Sequence, residues 1–308
     1  MAWSYRKDLF EDTLHRQAFR EFLMKHKVKD FPLAPPATWE QLRWVAKYFK
    51  ESIPGMAGLV MVTSRGYDAA TMSFEQILWA MGGTFGNYET YDAGFASAQA
   101  VKALRFFNEL LEYTSPGGRN LSYNEVSGEF IAGRAAMLCN YFAFFPSFVN
   151  PLENPDYHDK IGFFNSPSHV DSAGIRRRVS SLGGQGMSVN AHISEARQAR
   201  ALEFLKWFSS TEVQRLWAER GGITVNLEIM RSPAFLHASP FNPLFEEAFG
   251  MMRDFWAIPE FDQLLGVAQR EIVSVIQDGA PAEQAVANVQ AGHLRILAVR
   301  KAAGKEKR

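Results

Sequence analysis

The chain has 308 residues, room for two domains at roughly 150 residues each, and its 47% hydrophobic and 21% charged content is that of an ordinary globular protein. Its 33 Lys and Arg balance 33 Asp and Glu, so no overall field draws it to a phosphate backbone or an anionic lipid surface, and no nucleic-acid partner is expected. Cys139 is the only cysteine, which excludes an internal disulfide and a thiolate metal site.

No uncharged apolar run reaches the ~18 residues of a membrane span. The first thirty residues mix acids and bases without an apolar centre, unlike a secretory signal. Thr38-Trp39-Glu40-Gln41 has capping-box spacing, and Leu42, Val45, Ala46 and Phe49 then fall on one helical face, predicting a helix that ends before Gly55. Ala57 to Thr63 is a short branched run that reads as a strand buried on both faces. A loop, 64–68, leads to a helix over 70–81 closed by Gly82-Gly83, and a further helix is predicted over 97–113. Ser122 to Glu125 repeats the capping box. Ala135 to Phe142 reads as a strand, followed by a Phe-rich short helix around 144–148.

A strand is predicted over 160–167, a polar surface loop over 168–178, and a glycine-interrupted strand over 179–190. Helices follow at about 194–209 and 211–220, then a long one through Phe261, Leu264, Leu265, Ala268, Ile272, Val275 and Ile276. A last helix comes after Gly279 and Pro281, and residues 301–308 read as a solvated tail. The order is that of an α/β fold, with parallel pairing the natural expectation for strands lacking alternation.

Signatures of catalysis are mostly missing. There is no nucleophile elbow, no phosphate loop and no pair of histidines at helical spacing. The seven histidines read as surface or loop residues and no metal or other cofactor is expected. Asp68 and Glu75 could be an acid pair for glycoside hydrolysis, or simply a loop cap and an exposed helix position. Gly183-Gly184-Gln185-Gly186 lacks the lysine of a phosphate cradle and reads as a strand end that lets a ligand approach the backbone, or as a plain bulge. Arg176-Arg177-Arg178 reads as a solvated charge run. Aromatic residues interleaved with small polar ones beside glycine turns suit carbohydrate, whose C–H faces stack on rings while its hydroxyls bond Asp, Asn, Gln and Arg. Trp79, Phe144 and Phe145 fit core or platform, as do Tyr67 and Tyr141.

Six ordered segments resemble one family: YRKDLFED at 5–12, LAPPATWEQLRWVAKYF at 33–49, GYDAATMSFEQILWAMGGTF at 66–85, GEFIAGRAAMLCNYFAFFP at 128–146, the stretch 180–222, and PEFDQLL at 259–265. They are similar to family 1 extracellular solute-binding proteins, the sugar-capturing components of ATP-driven bacterial importers. The resemblance implies a periplasmic-binding-protein type II architecture, two α/β lobes joined by crossing segments around a ligand cleft. On that pattern 1–167 and 226–300 would form a largely complete C-terminal lobe. Residues 179–222 would be the returning piece of an N-terminal lobe that is mostly missing, as in a truncated chain. The resemblance carries ligand-binding roles to Arg65, Tyr67, Asp68, Asn140, Tyr141, Gly183, Gly184 and Gln185. It implies a non-enzymatic protein, periplasmic or extracellular, that delivers a sugar or polyol to ABC permease subunits in the membrane. A face made by Ala201, Phe204, Leu205 and Phe208 would be partly uncovered, favouring association and weak or absent ligand binding. The rival readings are a glycoside hydrolase using Asp68 and Glu75, and a structural interaction module.

Overall fold

A computed structural model describes residues 1–305 except Tyr88 and Gln185, with side chains through Arg300. Strand β1 (Ala2–Arg6) enters helices α1 (Lys7–Glu11), α2 (Thr13–Lys25) and α3 (Trp39–Ser52). Asp12 caps α2 by accepting from the Leu14 and His15 amides, and Thr38 caps α3 by accepting from the Gln41 amide, so both starts are set by side-chain chemistry. Helix α4 (Ala69–Ala80), a small hairpin of β2 (Gly86–Asn87) and β3 (Asp92–Ala93), and α5 (Ala98–Leu110) follow. Helix α6 (Tyr123–Ile131) opens with the complete Ser122/Glu125 capping box. Next come β4 (Met137–Asn140), α7 (Phe145–Val149) and β5 (Ile161–Phe164).

The main sheet has order β4-β1-β5, and β1 runs antiparallel to both neighbours. The sequence predicts no strand at β1, and the two strands it does predict in this sheet, β4 and β5, pair with β1 antiparallel, against the expectation of parallel pairing. An apolar strand buried on both faces carries no side-chain record of its direction, so the pattern could not distinguish the two. The 57–63 segment is buried as expected, but it joins the sheet only through parallel bridges, Ala57 to Ala135 and Val60 to Leu138. Gly58 sits so close to α3 that a Cβ there would lie 1.8 Å from the Ala46 carbonyl oxygen. Trp3 fills the layer between sheet and helices, with its ring 5.9 Å from those of Trp39 and Phe164.

The expected loop at 168–178 is instead a hairpin of β6 (Ser168–Val170) and β7 (Arg176–Arg178). Its three arginines are not a free charge run. Arg176 donates to Ser168 Oγ at 2.6 Å, Arg177 pairs with Asp171 at 2.6 Å, and Arg178 reaches the Ser166 carbonyl and Glu247. Among the described residues of the predicted 179–190 strand only β8 (Ser180–Ser181) forms, parallel to β9 (Met252–Arg253). The glycines that follow give the backbone too little reason to stay extended.

Helices α8 (Glu195–Phe208) and α9 (Thr211–Glu219) are followed by three short ones, α10 (Leu227–Met230), α11 (Pro233–Ala238) and α12 (Leu244–Met251). No residue of α8 is fully buried. Helices α13 (Phe261–Asp278) and α14 (Ala282–Lys305) pack on each other and on α4 and α5, with Gly279 at φ 74° making the left-handed turn between them. His293 on α14 is buried, against the surface expectation, and bonds the Leu264 carbonyl at 2.9 Å through Nε2. Among the described residues no helix is long and apolar enough to cross a membrane, and no cluster of side chains has the makings of a metal site.

Candidate functional site

Two surfaces meet where the 64–68 loop enters α4. Asp68 stands at the N-cap of α4 but makes no side-chain cap bond. Gln269, one residue of the buried stripe of α13, supplies the cap from across the fold. Its Oε1 accepts from the Thr71 amide at 2.9 Å and from the Thr71 hydroxyl at 2.6 Å. Its Nε2 donates to the carbonyls of Ser64 at 2.8 Å and Gly66 at 3.2 Å. One amide thereby fixes both the start of the helix and the loop before it.

That loop presents Tyr67, whose backbone is held at φ 23°, an uncommon conformation for a residue with a Cβ. Its ring is 64% exposed and meets Phe261 edge-on at 6.5 Å, while its hydroxyl donates to Asp262 at 3.3 Å. Arg65 turns toward the end of α13 and pairs with Asp278 at 2.5 Å. Between loop and helix lies an open groove of about 380 Å³, with Arg65, Tyr67, Asp262, Gln269 and Arg270 as its polar lining and Leu265, Gly266 and Val273 as its apolar floor.

Asp68 faces the other way. Its carboxylate accepts from the Tyr123 hydroxyl at 2.9 Å, and burial raises its pKa against the opposing pull of that bond. Tyr123 stacks on Tyr141 at 5.4 Å and on Phe144 at 6.2 Å, giving a ladder of three near-parallel rings. Burial pushes both tyrosine hydroxyls far above their ordinary value, so they remain donors at any physiological pH. Asn140 is fully buried behind this ladder. Its amide donates to the Tyr123 carbonyl and Ser127 Oγ, both at 3.0 Å, and its oxygen accepts from the Tyr141 amide at 2.8 Å. Asn140 therefore holds Tyr141 in place and has no side-chain atom turned to solvent.

Gly183 covers the Tyr141 ring, and a Cβ there would come within 1.8 Å of it. The close approach is set by the β8–β9 pair, extended by the Leu182 amide donating to the Arg253 carbonyl at 2.8 Å. Gly184 is exposed with open space around it. Gln185, also expected at the site, lies outside the described residues.

Of the expected residues, the structure joins Asp68, Asn140, Tyr141 and Gly183 in one connected cluster, with Tyr67 and Arg65 on the adjoining groove. The sequence reading missed Tyr123, Asp262, Gln269 and Arg270. Gln269 had a signal, being a polar residue on the otherwise apolar stripe of Leu265, Ala268, Ile272 and Ile276.

Glu75 does not belong to this surface. It is fully buried, against the expectation of an exposed helix position, and no hydrogen bond of ordinary geometry reaches its carboxylate. Burial holds its pKa well above the carboxylate range, opposed by the Ser181 hydroxyl and the nearby Met1 ammonium. Trp79 and Phe145 are core residues.

The model of the family described as bacterial extracellular solute-binding protein matches residues 4–215. No curated protein matches the chain. Solved structures share the fold: maltose-bound MalE3 of T. maritima aligns with a TM-score of 0.78 at 23% identity, covering 96% of this chain and 70% of that one. A solute-binding protein of Agrobacterium radiobacter K84 in complex with ribitol aligns at 0.77 and 21% identity, covering 96% and 69%. One from Thermotoga lettingae TMO bound with α-D-tagatose aligns at 0.76 and 20% identity, covering 96% and 70%.

Proposed function

We propose, since this chain belongs to the bacterial extracellular solute-binding protein family, that the groove between Tyr67 and α13 receives a neutral sugar or polyol for handover to an ABC-type permease outside the cytoplasm. The observation that carries the reading is Tyr67, a mostly exposed ring pinned in an uncommon backbone conformation above a groove rimmed by amide, guanidinium and carboxylate groups. A ring face covers sugar C–H groups and the rim exchanges bonds with hydroxyls. The cations of the groove favour an uncharged ligand, because Arg65 already pairs with Asp278 and Arg270 lies 3.6 Å from Glu271. The Tyr141–Tyr123–Asp68 cluster, with Asn140 behind it and Gly183 and Gly184 beside it, would form the adjoining part of the site. The maltose, ribitol and tagatose of the structural neighbours support this solute class.

The family is one of non-catalytic binding proteins, and the hydrolase alternative loses its second acid because Glu75 is enclosed. The groove is lined by two elements only, so the chain by itself should bind in the millimolar range, about −4 kcal/mol. Ligand-observed NMR with maltose, ribitol, D-mannitol and D-tagatose at ~10 mM tests this. Saturation transfer from at least one, lost in Tyr67→Ala, is expected. No transfer from any of the four, or transfer unchanged in Tyr67→Ala, would overturn the reading.

A further inference from the structure

Helix α4 is buried along its whole length, and Glu75, near its middle, is its one acid. Neither oxygen of the carboxyl has a hydrogen-bond partner. Strand β8 lies over this part of the helix, where Ser181 Oγ donates to the Met72 carbonyl at 2.8 Å, one turn before Glu75. The strand is also held from its other sides. The Ser181 carbonyl accepts from the Met1 amino group at 2.7 Å, Ser181 pairs with Arg253 of β9, and the Leu182 amide donates to the Arg253 carbonyl at 2.8 Å. The next residue, Gly183, rests on the Tyr141 ring.

The Ser181 hydroxyl stands beside the Glu75 carboxyl. Its single proton is committed to the Met72 carbonyl, so it turns lone pairs toward Glu75. A carboxylate facing lone pairs in a dry interior is repelled. A carboxylic acid instead donates its proton to Oγ and extends the chain Glu75–Ser181–Met72.

The groups around Glu75 favour the acid. Burial is the main cause, and Asp254 after β9 and Asp68 before α4 oppose ionisation too. The Cys139 thiol of β4 and the Tyr141 hydroxyl beyond it are themselves held neutral by burial. Arg253 of β9 is turned over the Trp79 ring, 4.9 Å from its centroid. The Met1 ammonium favours the carboxylate, but burial lowers its own pKa to about 6, so it carries little charge at neutral pH.

We propose that Glu75 is a proton-dependent latch: as a neutral acid it bonds Ser181 and holds β8 on α4, and on losing its proton it releases β8 together with the Gly183 contact on Tyr141. The latch joins segments of the chain itself and holds whether or not the groove takes a sugar. Once β8 lifts, the carboxyl meets water and returns toward its ordinary value of 4.5, below its value in the closed form. Closing is therefore fully favoured below about pH 4.5 and weakens as pH rises through the closed-state value.

Hydrogen exchange read by mass spectrometry on the full chain from pH 5 to 8, corrected for the intrinsic pH dependence of amide exchange, tests it. Protection of peptides covering 180–184 should fall by at least about tenfold across this range, while peptides of α13 keep theirs. Glu75→Gln keeps a donor to Ser181 at every pH, so its protection should stay level. Met1 titrates in both proteins, so the difference between them isolates Glu75. Ser181→Ala takes away the acceptor and should have lost protection by about fivefold already at pH 5. Infrared spectra of the parent at pH 6 should show a protonated-carboxyl band that Glu75→Gln lacks. A parent profile level in pH, a Gln variant as steep as the parent, a Ser181→Ala protein as protected as the parent at pH 5, or no such band would each overturn the proposal.

Discussion

Removing Gln269 tests whether one amide holds the candidate site together. In Gln269→Leu the α13 stripe remains apolar and filled, but the Thr71 amide and hydroxyl, both in a fully buried residue, lose their acceptor. Losing the cap of α4 costs about 1 kcal/mol, and leaving a buried hydroxyl unpaired costs about 1–2 kcal/mol more. The Ser64 and Gly66 carbonyls belong to a partly exposed loop where water can replace the lost donor, so they add little. A total near 3 kcal/mol, divided by an unfolding entropy of about 0.65 kcal/mol/K for a chain of this size, lowers Tm by roughly 4–5 °C. Gln277→Ala is the control. Its amide also donates to the segment before the loop, at 2.9 Å to the Thr63 carbonyl, but touches neither Thr71 nor the groove; a loss below about 1 kcal/mol is expected. Differential scanning fluorimetry reads the stability difference, and NMR titration with the best of the four solutes reads the site. Tyr67 rides on the anchored loop, so the Leu variant should weaken binding by tenfold or more. A Gln269→Leu protein melting within about 1 °C of the parent, with its solute contacts intact, would refute the anchoring argument.

Three further outcomes follow from the packing. Gly58→Ala drives a Cβ into the backbone of α3, 1.8 Å from the Ala46 oxygen, where no side chain can yield; a loss of at least about 3 kcal/mol in urea unfolding is expected. Tyr123→Phe takes the donor from the half-buried Asp68, costing about 1–2 kcal/mol, and the Asp68→Asn/Tyr123→Phe pair should lose less than the sum of the single changes, as a double-mutant cycle on chemical denaturation would show. His293 is held neutral by burial, its pKa lowered from 6.5 to about 4. The unfolded chain therefore takes up a proton between these values that the native state does not. The stability this histidine contributes is full above pH 6.5 and is lost as pH falls toward 4, by on the order of 3 kcal/mol. His293→Phe should flatten that part of the Tm profile, and an unchanged slope would show that other groups control it.

How much of this was written in the sequence depends on whether the information is local. Helix starts are local: Thr38 and Ser122 each cap the helix predicted after them, because the capping oxygen and the amide it accepts from lie within three residues. The direction of β4 and β5 is not local, since a strand buried on both faces looks the same either way round. The 168–178 hairpin was hidden for a related reason. Arg176 to Arg178 look like solvated charge until Asp171, Ser166 and Glu247 are brought to them from other parts of the chain. Among the site residues, Tyr67 and Asp68 were readable from their place beside a glycine turn, and Tyr141 from its place at a strand end. Tyr123 sat in plain view behind Ser122, but its role depends on Asp68, 55 residues away.

The backbone step from Tyr67 to Asp68 places the groove and the tyrosine ladder side by side. Adjacent residues at the entry to a helix point in different directions, so one residue addresses α13 and the next addresses α6 and the end of β4. Gln269 fixes the step from below, and the Asp68–Tyr123 bond leads through the stacked Tyr123 ring to Tyr141. Tyr141 in turn lies under Gly183, on the segment leading toward α8. A glycine is required at that contact because any side chain would displace the half-buried, stacked ring. The Tyr123→Phe variant cuts this chain of contacts at the hydrogen bond between Asp68 and the ladder.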